Sequence, residues 1–142
     1  MADFETLAGE VITAHDARLV KMIGDEVMYV VNDPAAAAEI ALELRDAVAG
    51  HPVLAGLRGG LVFGEVVAQD GDYYGREVNL AARIVAAAEP GEVLTTAAMA
   101  DALAAHDAIA VGARGERALR GFELPVALFA LRRAPVATTE PQ

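Results

Sequence analysis

An α+β sandwich, with helices on one face of a mainly antiparallel sheet, follows from three features of the sequence. The segments run in the order helix, hairpin, helix, strand, helix, strand, with antiparallel strands late in the chain. Two apolar runs rich in Val, Ile and Met, Arg18 to Ile23 and Glu26 to Val31, flank a Gly24-Asp25 turn and read as a β-hairpin. Asp33-Pro34, Gly50-His51-Pro52 and Pro90-Gly91 start or stop helical patterns at the places this order requires.

Each element has its own warrant. Phe4, Leu7, Val11 and Ile12 lie at helical spacing and predict a helix from residue 3 to about 15. After the hairpin, Asp33 is an N-cap and Pro34 the first helical position. Ile40, Leu44 and Val48 mark the buried face of that helix to about Ala49, and Glu39, Glu43 and Asp46 its wet side. Leu57 to Gln69 reads as one long strand or two, with Gly59, Gly60 and Gly64 allowing bends or bulges. Asp70-Gly71-Asp72 is a turn, and a helix follows from about Arg76 to Ala88. Glu92 to Thr95 is a short strand and Ala97 to Ala105 a helix; Ile109 to Val111, Glu116 to Leu119 and Val126 to Leu131 are late strands. The tail from Ala134 has two prolines and little to bury, so it is expected to be disordered.

At 142 residues the chain has room for one domain with a proper core. Its 55% apolar and 23% charged residues are those of a folded, soluble protein, although much of the apolar share is alanine. No apolar run approaches the roughly 20 residues needed to span a bilayer. Asp3 and Glu5 precede any apolar run, which is not a secretory signal. Without cysteine there is no disulfide framework and no thiolate metal site, and these features point to the cytoplasm. A net charge of −10 argues against nucleic acid as a partner, because polyphosphate backbones are held by excess Lys and Arg. A small nucleoside triphosphate needs only a few local cations.

Two motifs carry chemistry. Lys21 and Asp25 are the only charges between Arg18 and Glu26. A charge in an apolar hairpin is costly unless something pairs with it, and a metal ion or nucleotide would serve. Further on, Asn79 and Arg83 are four apart and project from one face of a helix, where they could hydrogen-bond and charge-pair a phosphoryl group. On this pair alone, a solvated helix charge beside an ordinary polar residue is the favoured reading. His15, His51 and His106 have no metal-binding spacing and read as surface or locally bonded. Tyr73 and Tyr74 read as aromatic packing of a turn onto the sheet.

Taken in order, Lys21, Gly24-Asp25, Asp72, Gly75, Val78-Asn79, Ala81 and Arg83 resemble the pattern of the class III nucleotidyl cyclases, the adenylate and guanylate cyclase family. Pro90 to Leu94 and Leu119 to Val126 look like bacterial members too, and the similarity spans roughly residues 5 to 131. The resemblance implies a ferredoxin-like class III cyclase sandwich over residues 1–133, with 134–142 as the tail. It implies conversion of ATP to 3′,5′-cyclic AMP and pyrophosphate for signal transduction, in a homodimer or a heterodimer with another cyclase domain. Lys21 and Asp72 fall where adenylate cyclases read adenine; guanylate cyclases usually carry Glu and Cys there. Asn79 would orient the ribose, and Arg83 would stabilise charge at the α-phosphate. Arg120 stands where many members carry a phosphate-binding Lys. Asp25 matches one of two aspartates that bind Mg2+ or Mn2+. In such dimers the metal aspartates come from one subunit and the base-reading and Asn/Arg residues from the other.

The chain also departs from the pattern. The other metal aspartate belongs to an N-terminal strand, and Asp3, only 22 positions before Asp25, leaves no room for the helix between them. His15-Asp16-Ala17 stands where many bacterial members have a Gly-Gly turn. The family's first strand is therefore expected to be missing, leaving neighbouring strand edges open to another chain. Loss of one such electrostatic element commonly costs on the order of 10² to 10³ in rate. Catalysis by this chain is left open, beside the alternative of a non-catalytic module that binds nucleotide or pairs with a complete cyclase domain.

Overall fold

The computed structural model describes residues 2–23, 26–64, 67–69 and 72–135. Helix α1 (Ala2–Ala14) buries Phe4, Ala8, Val11 and Ile12. It ends in a turn in which the Asp16 N–H bonds to the Thr13 carbonyl and the Ala17 N–H to the Ile12 carbonyl. Asp16 takes φ 58°, a left-handed conformation that aspartate tolerates better than most residues. The position where relatives were expected to carry glycine does therefore demand a positive φ here.

Strands β1 (Arg18–Ile23) and β2 (Glu26–Val30) form the expected antiparallel hairpin, with a register irregularity between Leu19 and Lys21. Its tip, including Asp25, lies outside the described residues. Helix α2 (Pro34–Ala47) starts as expected: Asp33 accepts the Ala35 N–H at 3.1 Å, and Pro34 needs no partner at the first helical position.

The segment read as one strand or two resolves into β3 (Gly59–Leu61) and β4 (Val67–Gln69), and β4 pairs antiparallel with β5 (Asp72–Tyr74). Asp72 thus begins a strand rather than closing a turn. Helix α3 (Arg76–Ala87), β6 (Val93–Thr95) and α4 (Ala97–Ala102) follow. The two late strands expected at 109–111 and 116–119 are one, β7 (Ile109–Arg117), which pairs with β8 (Val126–Arg133) along its whole length. The ladder passes through an irregularity between Ala113 and Gly115, where Gly115 takes φ 84°. A bulge there lets the strand continue across a stretch whose charge reads as a break.

The main sheet has the order β3-β6-β8-β7, with β3 parallel to β6 and the other pairs antiparallel. Its helices lie on both faces, not on one. Val93 joins Ala38, Leu42, Met99 and Leu131 on the α2 and α4 side, whereas its neighbour Leu94 joins Leu80, Ile84, Leu119 and Leu128 on the α3 side. Strand β6 is buried at every position, so each face needs a cover. The Thr95 hydroxyl is satisfied in that core by donating to the Leu61 carbonyl at 2.7 Å.

Among the described residues no strand joins the β1–β2 hairpin to the four-stranded sheet. Side chains make the connection. Tyr29 packs on the clusters of both α1–α2 and the main sheet, and its hydroxyl donates to the Ala37 carbonyl at 2.8 Å. Burial pushes the phenol well above its ordinary pKa, so it stays a donor. At the end of β8, Arg133 bonds Glu39 at 2.8 Å and Asp46 at 3.0 Å on the wet side of α2.

The close approach of β3 to α3 depends on glycine. A Cβ on Gly60 would lie 2.7 Å from Val85 Cγ2, 2.8 Å from the Ala81 carbonyl oxygen and 2.9 Å from the Val85 nitrogen. Two of these atoms are backbone and cannot swing away. Gly60→Ala is expected to destabilise by about 1–3 kcal/mol through overpacking. Gly9→Ala in α1, where nothing lies within 4 Å, should instead stabilise by about 0.5–1 kcal/mol. Urea unfolding of the two variants checks both signs.

Candidate active site

Helix α3 presents the central pair. Gly75 at its start holds φ 131°, a conformation that favours glycine, and its carbonyl accepts the Asn79 N–H at 3.2 Å. Leu80 and Ile84 turn into the core, which leaves Asn79 and Arg83 exposed one above the other. The side-by-side placement expected from their spacing is what the helix gives.

A second segment is clamped against this helix. Leu119 is buried in the α3 cluster, and Phe122 and Val126 pack on the same cluster. The Phe122 N–H bonds to the Leu119 carbonyl at 3.1 Å, and Gly121 takes φ 88°, as the third position of a type II turn requires. The Arg76 guanidinium lies 4.9 Å from the centre of the Phe122 ring, tying the turn to the start of α3. Arg120, the second residue of the turn, is exposed while both its anchors are held.

These supports bring Arg83 and Arg120 to one depression of about 210 Å3, lined also by Ala86, Ala87, Arg117, Ala118 and Leu119. Among the described residues, no carboxylate lines it. Arg117, at the end of β7, is a residue that the sequence reading passed over, because one more charge in an exposed stretch looks like a solvated strand edge.

Of the other expected site residues, Lys21 is exposed on β1 and engaged in an interaction within the chain. Strand β1 packs beside β5, whose first residue is Asp72, so the strands bearing the two residues are neighbours. Asp25 lies outside the described residues. Among the described residues, no group of three or more His, Asp or Glu side chains could hold a metal ion. His15 Nε2 lies 3.1 Å from Glu43 Oε1, and His51 Nδ1 accepts the N–H groups of Val53 and Leu54, each at 3.0 Å. Among the described residues no helix is long and apolar enough to cross a membrane.

Residues 1–133 match the family described as the adenylate and guanylate cyclase catalytic domain. An uncharacterized protein of Mycobacterium tuberculosis strain H37Rv is 40% identical over 137 residues, covering 96% of this chain and 35% of that protein. An adenylate cyclase of Glutamicibacter nicotianae is 43% identical over 119 residues, covering 84% of this chain and 30% of the relative. The chain thus spans about a third of the length of the curated relatives it matches. Among solved structures, an adenylate cyclase from Trypanosoma brucei, studied in its monomeric state, superposes with a TM-score of 0.76 at 27% identity, covering 95% of this chain and 78% of that one.

Proposed function

The chain belongs to the family of adenylate and guanylate cyclase catalytic domains, and from that premise we propose that it is one half of an ATP-cyclising site. The reaction is attack of the ribose 3′-oxygen on the α-phosphate, which closes the 3′,5′-cyclic ester and releases pyrophosphate. The observation that carries the reading is the convergence of Arg83 and Arg120 on one depression, with Asn79 one turn from Arg83 on the same exposed face.

Each residue has a task that its chemistry suits. The Asn79 amide orients the ribose. The Arg83 fork meets the oxygens on which charge develops as the α-phosphate is attacked, and stabilising developing charge is the largest single contribution in many enzymes. Arg120 holds the phosphates that leave. Lys21 as donor and Asp72 as acceptor complement the N1 and N6-amino edge of adenine. Asp25 is the residue proposed to hold Mg2+ or Mn2+, which binds oxygen ligands and commonly takes only one or two protein carboxylates beside substrate phosphates. The bound ion would supply electrostatic stabilisation of the phosphates.

Asn79 and Arg83 stand on an open face, so the opposite wall of the site has to come from another domain. A homodimer is the simplest source. In a second arrangement, this half pairs with a complete cyclase domain.

Nucleotide preference tests the assignment. Exchanging Lys21→Glu together with Asp72→Cys is expected to move the ATP-to-GTP ratio of kcat/KM toward GTP by about 10- to 100-fold, the effect of mispairing a base edge worth about 1–3 kcal/mol. An unchanged ratio in an active variant would remove the base-reading role from these two residues.

A further inference from the structure

The depression beside α3 holds one more cation than the proposed reaction assigns. Among the described residues, Arg83, Arg117 and Arg120 line it together with three alanines and Leu119, and no acidic side chain takes part. In a chain of net charge −10 this is a local concentration of positive charge. No hydrogen bond or ion pair joins any of the three guanidiniums to another described residue. The charge of Arg117 is felt by Glu92, but that carboxylate is already engaged by Arg114 and by the Glu89 N–H at 2.9 Å. Three like charges around one small space repel one another until an anion enters. At about 210 Å3 the space falls below the roughly 300–1,000 Å3 typical of whole-ligand pockets, and so suits part of a nucleotide.

We propose that Arg117 is a third phosphate-binding residue, which with Arg83 and Arg120 forms a cradle for the triphosphate, Arg83 reaching its α-phosphate, and retains pyrophosphate after cyclisation. The inference rests on the functional reading above and deepens it. Placement on β7 gives Arg117 a fixed origin: its backbone pairs with Val126, whose side chain packs on the α3 cluster. The alanines at 86, 87 and 118 leave the depression open to an entering phosphate. Planar guanidiniums suit this task because two N–H groups of each can meet two oxygens of one phosphate.

Inorganic pyrophosphate is the probe, titrated into the full chain at fixed ionic strength. Arg117→Gln is expected to raise its Kd by about tenfold, the effect of a charge-assisted hydrogen bond, and to raise KM for ATP more than it lowers kcat. Arg117→Lys should recover part of the loss, because it keeps charge without the fork. Arg132→Gln, at the opposite end of the β7–β8 ladder, should leave the Kd unchanged. If Arg83→Ala and Arg120→Ala weaken pyrophosphate and Arg117→Gln does not, the cradle is refuted while the cyclase reading stands. If wild type binds no pyrophosphate, or Arg117→Gln alone weakens it, the three-arginine cradle is likewise overturned. Absence of cyclic AMP formation, measured separately, would count against the functional reading itself.

Discussion

Arg83→Ala is expected to lower the rate of ATP cyclisation by about 10²- to 10³-fold, the usual effect of removing one preorganised donor to a developing charge. The same substitution should leave unfolding by urea within about 0.5 kcal/mol of wild type, since exposed side chains without structural partners contribute little. Both halves follow from placement. Arg83 is exposed, its neighbours Leu80 and Ile84 carry the packing of α3, and its role is confined to what enters the depression. Arg83→Lys should fall between the two, because the charge remains and the bidentate geometry does not. Single-turnover rates beside urea titrations separate lost chemistry from lost fold. A variant that is both slow and unstable would show that Arg83 supports the helix instead.

The largest expected effect on stability lies at Leu42. This side chain is fully buried from α2 and sits in the cluster that gathers Leu61, Val93, Met99, Leu103, Ile109 and Leu131 from all four strands of the main sheet, α4 and the turn after it. Leu42→Ala should cost about 2–5 kcal/mol, the lost transfer energy plus the cavity left behind. The cavity cannot close easily, because α2 is held at the sheet by Arg133 through Glu39 and Asp46. Urea denaturation measures the loss directly. A cost below about 1 kcal/mol would mean that α2 relaxes onto the sheet.

Local chemistry made much of this fold legible. The Asp33-Pro34 start of α2, the hairpin around residues 24 and 25, and the face of α3 that carries Asn79 and Arg83 each depend on residues within one or two turns of each other. Strand β7 was harder, because Gly112, Ala113, Arg114 and Gly115 look like a loop between two strands and are sustained as one strand by pairing with β8. Strand β5 was hidden for the same reason: Asp72 reads as part of a turn until β4 pairs with it. The two-faced cover of the main sheet rests on Val93 and Leu94 pointing opposite ways, which a strand of three residues does not disclose. The site divides similarly. Arg83 was found through its spacing from Asn79, whereas Arg117 is thirty-four positions from Arg83 in sequence and is brought to it by tertiary packing.

The central claim is that this chain supplies one half of an ATP-cyclising site completed by a second copy. Mixing two variants tests it most directly, with cyclic AMP measured from ATP and Mn2+. Asp25→Asn and Arg83→Ala should each be nearly inactive alone, beside an active wild type. Mixed in equal amounts, they should regain about a quarter of wild-type activity, since half the dimers are mixed and one of two sites in each is intact. A folded wild-type chain that makes no cyclic AMP, or an equal mixture no more active than its components, would contradict the account.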